Sequence, residues 1–180
     1  MKQVKGFKVF DKTFKARNGC FFEEGKIYKY DGGIIPQKKG FHFAKRLEDT
    51  LRYSNSDIED VIISEVTGIG NVIEFSDEYF GYYDLYVTDK ISIDRVLSRE
   101  EIIDYICALE DDDRICRFIA CMKLNPKEIR LFLDRSIKVL KTIEYYQFGN
   151  KKAFRENSFL PEWKEVKRYG KYYNKRCTRK

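Results

Sequence analysis

The chain's single histidine, His42, lies between two phenylalanines in Gly40-Phe41-His42-Phe43-Ala44. An imidazole has two distinct ring nitrogens and titrates near neutrality, so it suits proton transfer in a pocket wall. It equally suits a part-buried place held by a backbone carbonyl. Five cysteines (Cys20, Cys107, Cys116, Cys121 and Cys177) occur without a C-x-x-C pair. One histidine excludes a zinc site of two cysteines and two histidines, and a four-cysteine site would need paired spacing, so no metal is expected. An odd cysteine count without framework spacing points to reduced thiols and a cytoplasmic protein. The carboxylates Asp57, Glu59, Asp60, Glu65, Glu74, Asp77 and Glu78 could gather Mg²⁺ for phosphodiester cleavage. They lack D-x-D spacing, and a solvated acidic face is the simpler expectation.

The charges are partitioned along the chain. Residues 1–52 carry 13 basic and 6 acidic side chains, residues 53–148 carry 11 and 20, and residues 149–180 carry 11 and 3, which leaves a net +6. Either the basic ends neutralise the acidic middle, or they form an exposed basic surface for nucleic acid or an acidic partner. The last segment interleaves cations with aromatics: Trp163, Lys167, Arg168, Tyr169, Lys171, Tyr172, Lys175 and Arg176. That mixture suits phosphate contact with base stacking, and single-stranded RNA fits it best. The alternative is a solubilising tail. A 43% hydrophobic and 16% aromatic composition excludes a wholly disordered chain. No run of about 18 apolar residues is present, so no membrane span is expected. The opening residues lack the apolar core of a signal peptide.

These residues need elements to position them. Strands are expected at Lys5–Phe10, Lys26–Tyr30, Gly40–Ala44, Val61–Val66, Gly81–Val87 and Ile91–Val96. A short helix is expected near Arg46–Tyr53. Helices then take over. Ser98 with Glu101 forms a capping box for one helix, and Asp111-Asp112-Asp113 opens a second through Met122. Asn125-Pro126 with Glu128 starts a third, whose stripe of Ile129, Leu133, Ile137 and Leu140 predicts one helix to Phe148. A last short helix is expected after Pro161. The fold class is α+β: a β-rich domain over 1–97, a helical region over 98–149 and a basic aromatic tail over 150–180.

The stretch Gly40-Phe41-His42-Phe43-Ala44 followed by Thr50 and Tyr53 resembles the G-x-Y-F-A…S-x-x-Y segment of the ADP-ribosyltransferase superfamily, in its diphtheria-toxin and poly-ADP-ribose polymerase branch. The resemblance implies an ADP-ribosyltransferase-like split β-sheet, with Thr50 and Tyr53 binding and stacking the nicotinamide of NAD. The family's strand bearing His-Gly is matched by Lys5-Gly6. Its closing strand, E-Y-x-V-Y-D, is matched by Asp84-Leu85-Tyr86-Val87-Thr88-Asp89. The implied catalytic residues are therefore Lys5, His42 and Asp84, where the family has histidine, tyrosine and glutamate. Asp84 is one methylene shorter, and a displacement of about 1 Å at a reacting group can cost on the order of 100-fold. Lys5 cannot accept a ribose hydrogen bond as a neutral imidazole can. The substitutions argue for a retained fold with lost or altered chemistry.

Lys5-Gly6-Phe7, Glu24-Gly25-Lys26-Ile27-Tyr28 and Gly40-Phe41-His42-Phe43 also resemble an uncharacterised domain of phage and mobile-element proteins, with the pattern K-G-F…E-x-G-K-x-Y…G-F-H-F. That resemblance implies a phage-type accessory protein in the host cytoplasm. It would bind and inhibit a host defence protein or protein–guide RNA complex, in the manner of an anti-CRISPR, with no cofactor. Two alternatives stand beside it. One is a divergent ADP-ribosyltransferase or NAD-cleaving enzyme, which would use NAD. The other is an RNA-binding module or RNase.

Overall fold

The computed structural model describes residues 2–16, 19–51, 61–76 and 84–148. The chain divides into two compact units, Met1–Ile102 and Ile103–Lys180. Tyr53, Asp57, Glu59, Asp60, Asp77 and Glu78, the helix expected after Pro161 and the basic aromatic tail lie outside the described residues.

The first unit is built on five strands: β1 (Lys2–Asp11), β2 (Ile27–Lys29), β3 (Phe41–Ala44), β4 (Val61–Ser76) and β5 (Asp84–Val96). Helix α1 (Leu47–Thr50) follows β3 and packs on β1 and β3. All pairings are antiparallel. β1 runs along β4 from Lys2↔Gly70 to Asp11↔Val61, and β4 also pairs with β5. β5 pairs with β3 through Phe41↔Thr88 to Ala44↔Leu85, and then with β2. One pair, Phe7↔Ala44, joins β3 to β1. The ladder therefore closes as β1–β3–β5–β4–β1, and β2 continues the β5 edge beyond β3.

Two strand predictions are corrected. β4 does not end near Gly68 but continues to Ser76, through register shifts at Glu65/Val66 and Ile69/Val72. Gly70, at φ +89, takes a backbone shape that a side chain disfavours, so the strand bends there and goes on. The two strands expected at Gly81–Val87 and Ile91–Val96 are one strand, β5. Its pairing with β4 continues on both sides of the second shift, from Lys90 back to Thr88.

Alternation along the strands sorts side chains to two faces. The inner face holds an aromatic core of Phe10, Phe22, Phe43, Val66, Tyr86, Ile91 and Ile93. Phe43 lies over two glycines: a Cβ on Gly6 would stand 2.7 Å from its ring and one on Gly68 2.6 Å. Leu85, Ala44 and Phe75 pack together on the other face.

Four helices follow: α2 (Arg99–Cys107), α3 (Asp112–Cys121), α4 (Pro126–Arg130) and α5 (Ile137–Phe148). The starts of α2 and α4 follow the expected caps, while Asp111, expected in the first turn of the second helix, is the cap of α3. Ser98 and Glu101 exchange side-chain and backbone bonds at 2.8 and 3.2 Å. Asp111 accepts from Asp113 N at 2.8 Å. Asn125 and Glu128 complete a capping box with Pro126 inside it. The single helix expected from Asn125 to Phe148 is instead two. After Arg130 the chain tightens into turns, with Phe132 N bonding Ile129 O and Arg135 N bonding Phe132 O. The Arg135 guanidinium donates to the carbonyls of Leu109 and Cys107, the open end of α2. A tertiary demand for a cap thus overrides the helical stripe. Ile115, Phe118, Phe132, Val139 and Ile143 are fully buried in this unit.

Candidate functional site

β3 sends Phe41 and Phe43 inward and His42 and Ala44 to the opposite face. His42 Nδ1 lies 3.1 Å from the Gly40 carbonyl, which can only accept, so the neutral ring carries its proton there. The ring meets Phe75 edge-on at 6.0 Å. Nε2 is buried and makes no hydrogen bond. Burial first, then the Lys8 charge, lowers the His42 pKa, while the carbonyls of Gly40 and Ile35 oppose this. The imidazole is neutral at pH 7.

β1 carries a lysine inward. Lys8 shares the phase of Val4, Gly6 and Phe10 and stands directly opposite Ser64 on β4. β1 and β3 part beyond Phe7↔Ala44, and the Lys8 amine fills the gap by donating to the His42 carbonyl at 2.6 Å. It also lies 5.7 Å from the centre of the Phe10 ring. Burial pushes its pKa down to about 8. Ser64 is wholly buried, and its hydroxyl has no hydrogen-bond partner.

Asp84 opens β5 opposite Ser76. Its carboxylate is 3.4 Å from Arg46 and 3.9 Å from Lys45, and Lys45 reaches Glu74 at 3.1 Å. Glu74 stands opposite Tyr86. Burial, and then the Glu74 charge, raises the pKa of the Tyr86 hydroxyl. Asp84 is therefore part of a half-exposed ionic group on the inner-face side of the sheet.

The predicted catalytic set is not drawn together. Phe7 faces Ala44, which puts Lys5 on the face of His42, but four register positions away. At about 3.4 Å per residue that is roughly 14 Å. His42 faces Val87, whereas Asp84, three residues from Val87, projects to the opposite face. Lys5 itself is exposed. Thr50 is 2% exposed, and its hydroxyl donates to the Leu47 carbonyl at 2.7 Å, a local helix bond that uses its proton. Lys8 and Ser64 are not among the predicted site residues, because a strand read alone does not show which of its two faces is buried. The signal available was a lysine in phase with Val4, Gly6 and Phe10. Among the described residues no group of three or more His, Cys, Asp or Glu could hold a metal ion. Cys107 and Cys116 are free thiols.

The fold and these groups define a mixed α+β protein with a closed antiparallel sheet and buried polar groups in it. A family model described as domain of unknown function (DUF7666) matches residues 4–103, and the chain belongs to that family. The matched span nearly coincides with the first compact unit. No curated protein and no solved structure matches the chain. No helix among the described residues is long and apolar enough to cross a membrane.

Proposed function

We propose that this chain is a phage-type accessory protein that binds and inhibits a host defence nucleoprotein, on an ADP-ribosyltransferase-like sheet that no longer transfers ADP-ribose. The observation that carries the reading is the register. It separates Lys5 from His42 along one face and puts Asp84 on the other. Arg46 and Lys45 also engage the Asp84 carboxylate that would have to meet a ribose hydroxyl. A transferase needs its groups within a fraction of an ångström of productive geometry. Binding then remains as the work of a surface with separate acidic and basic stretches. The phage and defence elements rest on the K-G-F…E-x-G-K-x-Y…G-F-H-F pattern and on the charge partition.

The test is a pull-down of purified effector–guide complexes, paired with a plaque assay in a host that carries the corresponding defence. Co-purification and restored plaques are expected. Loss of both sinks the proposal. NAD supplies the control: calorimetry at millimolar cofactor should show no binding, and no nicotinamide should be released. Release that disappears in His42→Ala or Asp84→Ala would instead establish the enzyme.

A further inference from the structure

We infer that Lys8 and Ser64 bind the carboxylate of a small free monocarboxylic acid on the inner face of the first unit's sheet. The ammonium pairs with one carboxylate oxygen and the hydroxyl donates to the other. This site stands apart from the function proposed above, and neither depends on the other.

Two buried polar groups lead to it. Ser64 has no exposed surface, and its hydroxyl has no hydrogen-bond partner. A hydroxyl buried unbonded has given up water for nothing, so native folds seldom keep one without an occupant. Lys8 stands directly across the β1–β4 ladder on the same face. Side chains so opposed have Cβ atoms about 5 Å apart. The Lys8 ammonium has three protons to donate, and among the described residues it has one acceptor, the His42 carbonyl at 2.6 Å. Two neighbouring donors on one wall of the core are thus short of acceptors.

Charge decides the class of ligand. The core around them is formed by Phe10, Phe22, Phe43 and Val66, with Ile62 packed against it, and none of these is charged. Tyr28 and Tyr86 are the phenols of that core. The carboxylates of Glu74 and Asp84, on the same face, are engaged by Lys45 and Arg46. His42 is coupled to the Lys8 charge and is neutral at pH 7. Burial, with no described carboxylate to offset it, holds the amine at about 8. A buried cation is costly until an anion joins it. A monoanion balances one ammonium, and its two oxygens match the two donors. A phosphate dianion would bring a second charge and a third oxygen with nothing to receive them. The burial of Ser64 selects a free acid, because a carboxylate fixed to another protein could not reach it. Lys8 as a residue is only half-buried, so its stem leads from the surface to the site.

The test uses the full-length protein with isotopically labelled lysine, and sodium acetate as the probe against sodium chloride at equal ionic strength. The Lys8 Cε resonance, identified by its loss in Lys8→Met, should move saturably with acetate and not with chloride. Acetate pairs with the charged amine, so saturation should raise the Lys8 pKa by about one unit or more. Affinity should fall about 30-fold between pH 7 and about pH 9.5, as the amine loses its proton. Ser64→Ala keeps the core apolar and should weaken acetate binding about tenfold. Inorganic phosphate should not compete. The inference is overturned if acetate acts no differently from chloride, if Ser64→Ala binds acetate as the parent does, or if affinity is the same at both pH values. Phosphate binding as tightly as acetate would overturn the choice of a carboxylate. Effector binding without acetate binding removes this site alone, and acetate binding without effector binding removes only the defence partner.

Discussion

Lys8 is the residue at which burial and charge conflict most directly. Its amine titrates at about 8 when folded, against 10.5 in an unfolded chain. Between those values the unfolded chain binds more protons at this amine, so its contribution to stability rises with pH from about 8 to 10.5 and adds no slope outside that window. The full depression is an upper bound of about 3 kcal/mol. Lys8→Met should abolish that rise, and urea midpoints of parent and variant below, within and above the window will show it. Parallel curves would mean that the amine reaches solvent. Ser64 gives a second outcome. A buried hydroxyl without a partner costs free energy, so Ser64→Ala should stabilise the fold by about 1 kcal/mol. A lower thermal midpoint would show that the hydroxyl is bonded after all. His42 was legible as a chemically distinct residue, but its setting was not. The Gly40 carbonyl and the Phe75 edge come from chain neighbours and from β4, and only pairing decides which of them arrives.

At the scale of elements, local chemistry was the better guide. The starts of α2, α3 and α4 follow from Ser98, Asp111 and Asn125, because a cap acts within three residues and is written in adjacent letters. The ends were harder to read. α4 stops where Arg135 turns to the carbonyls of α2, a contact across 26 residues or more that no stripe discloses. The glycines repeat the lesson. Gly6 sits in a strand, where glycine is disfavoured. Its reason is the Ala44 carbonyl, 2.3 Å from where a Cβ would stand. Gly6→Ala should therefore cost about 3 kcal/mol, visible as a fall in the thermal midpoint. A midpoint unchanged from the parent would mean that β3 gives way easily.

At the scale of the molecule, closure of the sheet is the governing feature. β4 is paired by β1 and β5, and β5 by β4 together with β3 and β2, so neither presents a long open edge. β2 differs. Tyr30 N bonds Asp89 O and Ile93 N bonds Lys26 O, so by alternation the backbone groups of Ile27 and Lys29 point away from β5. Native-state hydrogen exchange should place the slowest amides of the first unit in β4 and β5, around Val66, Ile91 and Ile93, with Ile27 and Lys29 among the fastest of its strand amides. Slow exchange at Ile27 and Lys29 would reveal a partner on that edge.

The sequence by itself determined the α+β class, the helix starts and the reading of Gly40–Ala44 as a strand, because each depends on periodicity or capping within a few residues. It also held the partition of charge, which is a property of composition. Only the tertiary structure decided that β1 turns Lys8 inward and that Lys5, His42 and Asp84 lie on separate ends and faces. Those outcomes rest on register. A strand has a period of two, so one step of pairing exchanges its faces, and the partners that fix the step lie tens of residues away.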